Sequence, residues 1–229
     1  MKKMLIFIAF VVFGTTAIVA QERDQDRIQD QDRTKLVMVN GEMLEVRERS
    51  HMRLQDKKKL NDGTIVSSDG TYTTRDQERL RLKDGQCLDM DGVMYRNEYQ
   101  YRYKIQQENR GLTQAQIQER NQNRVHYILV DGEMFQIRNQ SQNRLQQQRN
   151  LNNGTVVNPD GTYQTRDRKQ LQLKDGECLN MDGQMYKNTY QHRKMVVKNK
   201  LVKKKVQKKT GKKTATKKKI SKKGAKKSL

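Results

Sequence analysis

The sequence has no tryptophan, one proline (Pro159), two cysteines and four phenylalanines in 229 residues, with a mean hydropathy of −1.10. That scarcity of apolar and aromatic material excludes one large hydrophobic core and favours small modules joined by polar segments. The two cysteines, Cys87 and Cys178, are not spaced as Cys-x-x-Cys, which argues against a dithiol redox enzyme. Acidic residues are missing from Lys194 to Leu229, where 17 lysines fall. Those lysines, with Lys2 and Lys3, account for all but +3 of the +22 net charge, so the remainder is close to neutral.

Long apolar runs are missing too, apart from Met4–Phe13. Two lysines precede this run, and small residues ending at Ala20 follow it, which is the three-part pattern of a secretory signal peptide cleaved before Gln21. A membrane anchor is the alternative, but the run is short for a span of about 20 residues. No cysteine follows the small residues, which argues against a lipoprotein. The expectation is an exported protein, periplasmic or extracellular.

What is present is a repeat. Arg33–Arg102 aligns without a gap with Arg124–Arg193 at an offset of 91, and more than half of the positions are identical. A repeat of this length fixes the architecture first. The expected order is a signal peptide at 1–20, a polar disordered segment at 21–33 and a first module at 34–103. A Gln-rich linker or marginal helix at 104–124, a second module at 125–193 and a disordered tail at 194–229 complete it.

Within each module a 22-residue step recurs, as in Gly41, Gly63 and Gly85, and most of the glycines follow Asp or Asn. Asn-Gly and Asp-Gly between short apolar runs mark tight hairpins, because such turns need positive φ. The fold class expected is all-β: two tandem small antiparallel β-meander modules of about three hairpins each, with a disordered basic C-terminal tail. The core candidates are Leu36, Val39, Met43, Val46, Ile65, Val66, Leu80, Leu82, Leu88, Met90 and Met94. Modules of about 70 residues are marginal alone, so the two copies packing side by side is a natural arrangement.

The phrases Asn-Gly-Glu-Met at 40–43, Leu-Asn-Asp-Gly-Thr at 60–64 and Gly-Gln-Cys-Leu-Asp-Met-Asp-Gly at 85–92 carry a resemblance. The chain resembles an uncharacterised domain family found in exported proteins of Gram-negative bacteria and known only as a domain of unknown function. The resemblance covers both copies, about 140 residues, and implies a β-module and export but no activity, ligand or catalytic residue.

Candidate chemistry is sparse. Cys87–Glu98 nearly fits an EF-hand loop, with Asp89, Asp91, Gly92 and Glu98 at the expected spacing, but position 1 is a thiol and the second copy has Asn180 and Thr189 for Asp89 and Glu98. Turn formation accounts better for the aspartates, so no metal and no cofactor is expected. His51, His126 and His192 align with Gln142, Lys35 and Tyr101, so no histidine is duplicated. Asp76 and Asp167, in the shared Thr-Arg-Asp, read as turn or surface residues. No catalytic residues are assigned, no small-molecule substrate is identified, and the protein is read as not an enzyme. Cys87 and Cys178 could form a disulfide between the modules, or each could be a small buried residue. Tyr72, Tyr95 and Tyr99 beside Arg75, Arg96 and Arg102 could make a stacking face, or be half-buried strand residues.

The tail is a polycationic arm. Its contact residues would be Lys203, Lys204, Lys205, Lys208, Lys209, Lys212, Lys213, Lys217, Lys218, Lys219, Lys222 and Lys223. Outside the cytoplasm its partner is an anionic envelope surface or another polyanion. The alternative is a nucleic-acid-binding protein that uses the same lysines on phosphate. The overall expectation is an exported structural or interaction protein.

Overall fold

The computed structural model describes residues 33–199. The expected signal peptide, nearly all of the 21–33 segment and every tail lysine from Lys203 onward lie outside them. The first copy comprises β1 (Thr34–Val39), β2 (Glu42–Arg53), β3 (Lys58–Lys59), β4 (Ile65–Val66), β5 (Thr71–Thr73), β6 (Arg79–Arg81), β7 (Cys87–Asp89) and β8 (Met94–Tyr95). Two helices follow, α1 (Glu98–Glu108) and α2 (Gln114–Gln122). The second copy repeats the strands as β9 (Val125–Val130), β10 (Glu133–Arg144), β11 (Arg149–Asn150), β12 (Val156–Val157), β13 (Thr162–Gln164), β14 (Gln170–Gln172), β15 (Cys178–Asn180) and β16 (Met185–Tyr186). A third helix, α3, covers 189–199.

The body is mostly antiparallel sheet in two tandem copies, as the turns imply, and the copies interlock. β3–β6 and β11–β14 form a four-stranded sheet within each copy, whereas the outer hairpins join one eight-stranded sheet ordered β16-β15-β1-β2-β10-β9-β7-β8. β15 of the second copy pairs with β1 of the first, and β7 of the first pairs with β9 of the second. At the centre β2 lies antiparallel to β10, with Glu48 opposite Asn139. Those two residues are repeat equivalents, so a pseudo-two-fold axis passes between them.

Two kinds of turn do the folding. Asn40 and Gly41 both have positive φ, 50° and 73°, the tight hairpin that Asn-Gly favours. The β3–β4 turn is longer: Gly63 N–H bonds Leu60 O, Leu60 N–H bonds Thr64 O, and the Asp62 carboxylate accepts from the backbone and hydroxyl of Thr64. Asp69 and Thr71 repeat this device. Gly85 and Gly176 make no such hairpin. Gly85 N–H donates to Leu129 O at 2.8 Å and Asp84 Oδ1 accepts from Gly132 N at 3.1 Å. Gly176 N–H likewise donates to Met38 O at 2.8 Å and Asp175 Oδ1 accepts from Gly41 N at 3.0 Å. The duplicated Lys-Asp-Gly is a clasp by which each copy grips the other.

The core follows the same exchange. Leu36, Met38 and Met43 of the first copy pack with Leu151, Val157, Tyr163, Leu173 and Leu179 of the second. Tyr127, Leu129 and Met134 of the second pack with Leu60, Val66, Tyr72, Leu82 and Leu88 of the first. β1 is buried along its whole length because its alternate side chains face the second copy's small sheet and the helical layer. Most expected core residues are buried, but Ile65, Leu80 and Met94 are about 40% exposed or slightly more. Their strands are two or three residues long, so the described residues leave the outward face or sheet edge uncovered. Met90 is partly buried.

Helices stand where a linker or marginal helix is expected, and α3 takes in the first residues, 194–199, of the expected tail. Asn97 caps α1 by accepting from Gln100 N at 3.0 Å, and Asn188 caps α3 by accepting from Gln191 N at 2.9 Å. α1 buries Glu98, Tyr101, Arg102 and Ile105, which the i, i+3, i+4, i+7 spacing puts on one face. In α3 the buried residues Thr189, His192, Arg193 and Val196 stand at the equivalent positions. The segment from Lys194 to Asn199 therefore belongs to the folded body.

Candidate functional site

The described residues hold one concentrated group of ionisable side chains, and it lies inside the body at the pseudo-two-fold axis. β1 supplies Lys35, β2 supplies Glu48 and His51, and α1 supplies Glu98 and Arg102. The second copy adds His126 from β9, Asn139 and Gln142 from β10, and His192 and Arg193 from α3. All are buried.

Arg193 is clamped between the two carboxylates. Its Nη2 donates to Glu48 Oε1 at 2.6 Å and to Glu98 Oε1 at 2.7 Å, and its Nε donates to Glu98 Oε2 at 2.8 Å. Arg102, its repeat equivalent, donates from Nη2 to Glu98 Oε1 at 2.7 Å and from Nη1 to Asn139 Oδ1 and Gln142 Oε1 at 3.2 and 3.1 Å. Gln142 returns a bond to the Arg102 carbonyl, and Lys35 Nζ donates to Glu48 Oε1. Three cations thus meet two carboxylates, with both carboxylates coming from the first copy.

The charge states follow from this geometry. Burial alone would raise the Glu48 and Glu98 carboxyls, but Arg193 outweighs it, helped by Lys35 at Glu48 and by Arg102 at Glu98. Both are held well below the usual carboxylate range. Burial, with Arg193 beside it, lowers the Lys35 amine. The histidines are kept neutral. Burial holds His126 to about 4 despite Glu98 at 3.5 Å, and holds His192 to about 3. His51 is lowered well below its usual value for the same reason. The rings pack on aromatics: His51 on Phe135, His126 on Tyr101 and His192 on Tyr186. Chemically the group is an ionic joint closed to solvent.

Of the residues singled out from the sequence, Glu98, Arg102 and the three histidines enter the cluster, and the others fall elsewhere. Cys87 and Cys178 are free, buried thiols on β7 and β15, five strand steps apart and so about 24 Å from each other. A bridge between them in one chain is corrected by this placement, because a disulfide needs Cα atoms within about 7 Å. Exchange of the hairpins sends each cysteine to an opposite flank of the sheet. Burial pushes the Cys178 thiol up to about 12 and raises that of Cys87 as well.

The Asp89–Asp91 loop is the β7–β8 hairpin. Asp89 accepts from Asp91 N, Val93 N and the Tyr95 hydroxyl, and Asp91 accepts from Asn61. Glu98, the twelfth residue of the EF-hand pattern, turns into the ionic cluster instead. The tyrosine–arginine face does not assemble: Tyr72 and Tyr95 are buried, and Arg102 is inside the cluster. Thr74, before Arg75 and Asp76, closes a turn by bonding Glu78.

Sequence reasoning missed the cluster itself. Its signal was available in the differences between the copies. Lys35/His126, Glu48/Asn139, His51/Gln142, Glu98/Thr189 and Tyr101/His192 all depart from identity, and all converge on the axis.

Fold and site together define a pseudo-two-fold-symmetric β protein made of two copies of one domain, interlocked by strand exchange and joined at a buried ionic centre. Both copies match the family model described as a domain of unknown function, DUF6799, over residues 33–94 and 124–185, and the chain belongs to that family. No curated protein and no solved structure matches the chain. The family match stops short of α1 and α3, so Lys35, Glu48, His126 and Asn139 lie within it while Glu98, Arg102 and Arg193 lie outside.

Proposed function

We propose that the protein is an exported, non-enzymatic structural or interaction protein whose lysine-rich C-terminal segment binds anionic surfaces of the envelope or another polyanion. The carrying observation is the division of charge. In the body the concentrated ionisable groups are spent on one another in a buried joint, whereas Lys200–Leu229 holds 15 lysines and no acid. Lysine is a flexible point charge that favours non-specific contact with phosphate or carboxylate over readout of a base sequence. Residues 1–20 supply the argument for export, and the closed ionic joint is the argument for a scaffold.

The test compares the full chain with one ending at Asn199, which keeps the buried Val196 and the rest of α3. Binding to phosphatidylglycerol vesicles should be lost on truncation. For the full chain it should weaken steeply as salt rises and the Debye length falls toward about 8 Å. Undiminished vesicle binding by the truncated chain would refute the tail's role. Cell fractionation decides the compartment: a processed chain beginning at Gln21 outside the cytoplasm supports export. An unprocessed cytoplasmic chain bound to DNA would favour the nucleic-acid reading.

A further inference from the structure

The ionic centre is asymmetric although the fold around it is nearly symmetric. Arg102 and Arg193 are repeat equivalents and both lie at the axis, but only the first copy brings carboxylates, Glu48 and Glu98. The second copy has Asn139 and Thr189 in their places. Two second-type copies facing each other would bury two arginines with no carboxylate between them, an uncompensated pair of charges. Two first-type copies would set Glu48 directly against Glu48, because the residue now opposite Glu48 across the axis is its own equivalent, Asn139. The four apolar clusters do not discriminate in this way, since each mixes residues of both copies in nearly equivalent positions.

We propose that the buried cluster is a recognition code between the copies, in which the carboxylates of the first copy make it the one partner against which the second copy can fold. Pairing then has a direction. First with second gives both arginines a carboxylate, second with second strands them, and first with first opposes two carboxylates. The amide partners fit this scheme: Asn139 and Gln142, which stand where the first copy has Glu48 and His51, offer neutral oxygens to Arg102.

Two full-length chains test the code. The first carries Lys35→His, Glu48→Asn and Glu98→Thr, which writes the second copy's residues into both halves. It should lose the cooperative unfolding transition seen by circular dichroism. The second carries those changes together with His126→Lys, Asn139→Glu and Thr189→Glu, and also exchanges His51 with Gln142 and Tyr101 with His192, so that the code is inverted across the axis. Despite many more substitutions, it should regain one cooperative transition within a few degrees of the natural chain. A first chain that melts like the natural protein would overturn the proposal. So would an inverted chain that stays unfolded, because the cluster would then depend on local surroundings and not on complementarity between copies.

Discussion

Replacing Glu48 with Gln is the most informative single perturbation of the ionic centre. The side chain keeps its size and an acceptor oxygen, so packing hardly changes and the charge alone is removed. Lys35, Arg102 and Arg193 would then share Glu98 as their sole carboxylate, in a site from which solvent is excluded. Breaking a buried ion pair by removing one partner costs about 3–5 kcal/mol. At this size of protein that corresponds to a fall in Tm on the order of 6–20 °C. The control is Glu133→Gln, which removes the partner of Arg53 at 2.8 Å where the side chains are 38% and 61% exposed. A surface pair of that kind is worth about 0–1 kcal/mol. Urea unfolding of both variants at pH 7.5 measures the contrast, with the m-value checking that the same surface is exposed. The deficit of Glu48→Gln should also narrow as pH rises. Lys35, already lowered by burial, loses its proton first in the folded state, and stability then recovers by about 1.4 kcal/mol per unit toward the unfolded lysine value. A Glu48→Gln protein within about 1 kcal/mol of the natural chain, or no weaker than Glu133→Gln, would mean that the Glu48 charge does not hold the centre together.

Three further outcomes follow from the same geometry. The buried histidines have folded values below the ordinary 6.5, so their contribution is complete above that pH and is lost as pH falls toward 4. His126 alone should remove about 2.5 kcal/mol by pH 4.5, and urea midpoints at pH 7.5, 6 and 5 should fall in step. Glu48 and Glu98, held low, add to the loss only below the usual carboxylate range. Cys87 and Cys178 should resist a thiol reagent in the native protein and return two thiols per chain in denaturant; a native chain lighter by two hydrogens would contradict the strand order. Gly161→Ala should destabilise by about 2–4 kcal/mol, because φ is +86° and a Cβ would lie 2.7 Å from Met38 Sδ across the copy boundary; thermal melts check it.

The local rules of the fold were legible. Asn-Gly and Asp-Gly marked the turns, and the gapless offset of 91 marked the copies, because both depend on residues close in sequence or on simple self-similarity. The exchange between copies was not legible, since the apolar pattern of β1 suits β7 of its own copy as well as β15 of the other. Leu80 and Leu82 show the limit of alternation: the pattern is clean, but only Leu82 reaches a core, and Leu80 sits on the exposed edge strand β6. The helices could have been found from Asn97-x-x-Gln100 and Asn188-x-x-Gln191, a capping pattern hidden among so many glutamines. For the ionic centre, the useful signal lay in where the copies differ. Glu48 sits in a run of charged residues that reads as a solvated strand, and only the pairing of β2 with β10 turns it inward.

Neither copy has a core of its own, because each apolar cluster takes residues from both. A protease site placed at Gly111, in the exposed loop between α1 and α2, allows the folded chain to be cut once between the copies. Size-exclusion chromatography with light scattering then reads the result directly. The two fragments should stay together as a 1:1 complex in native buffer and unfold in a single transition. Two fragments that separate, each retaining a cooperative melt, would contradict the interlocked fold.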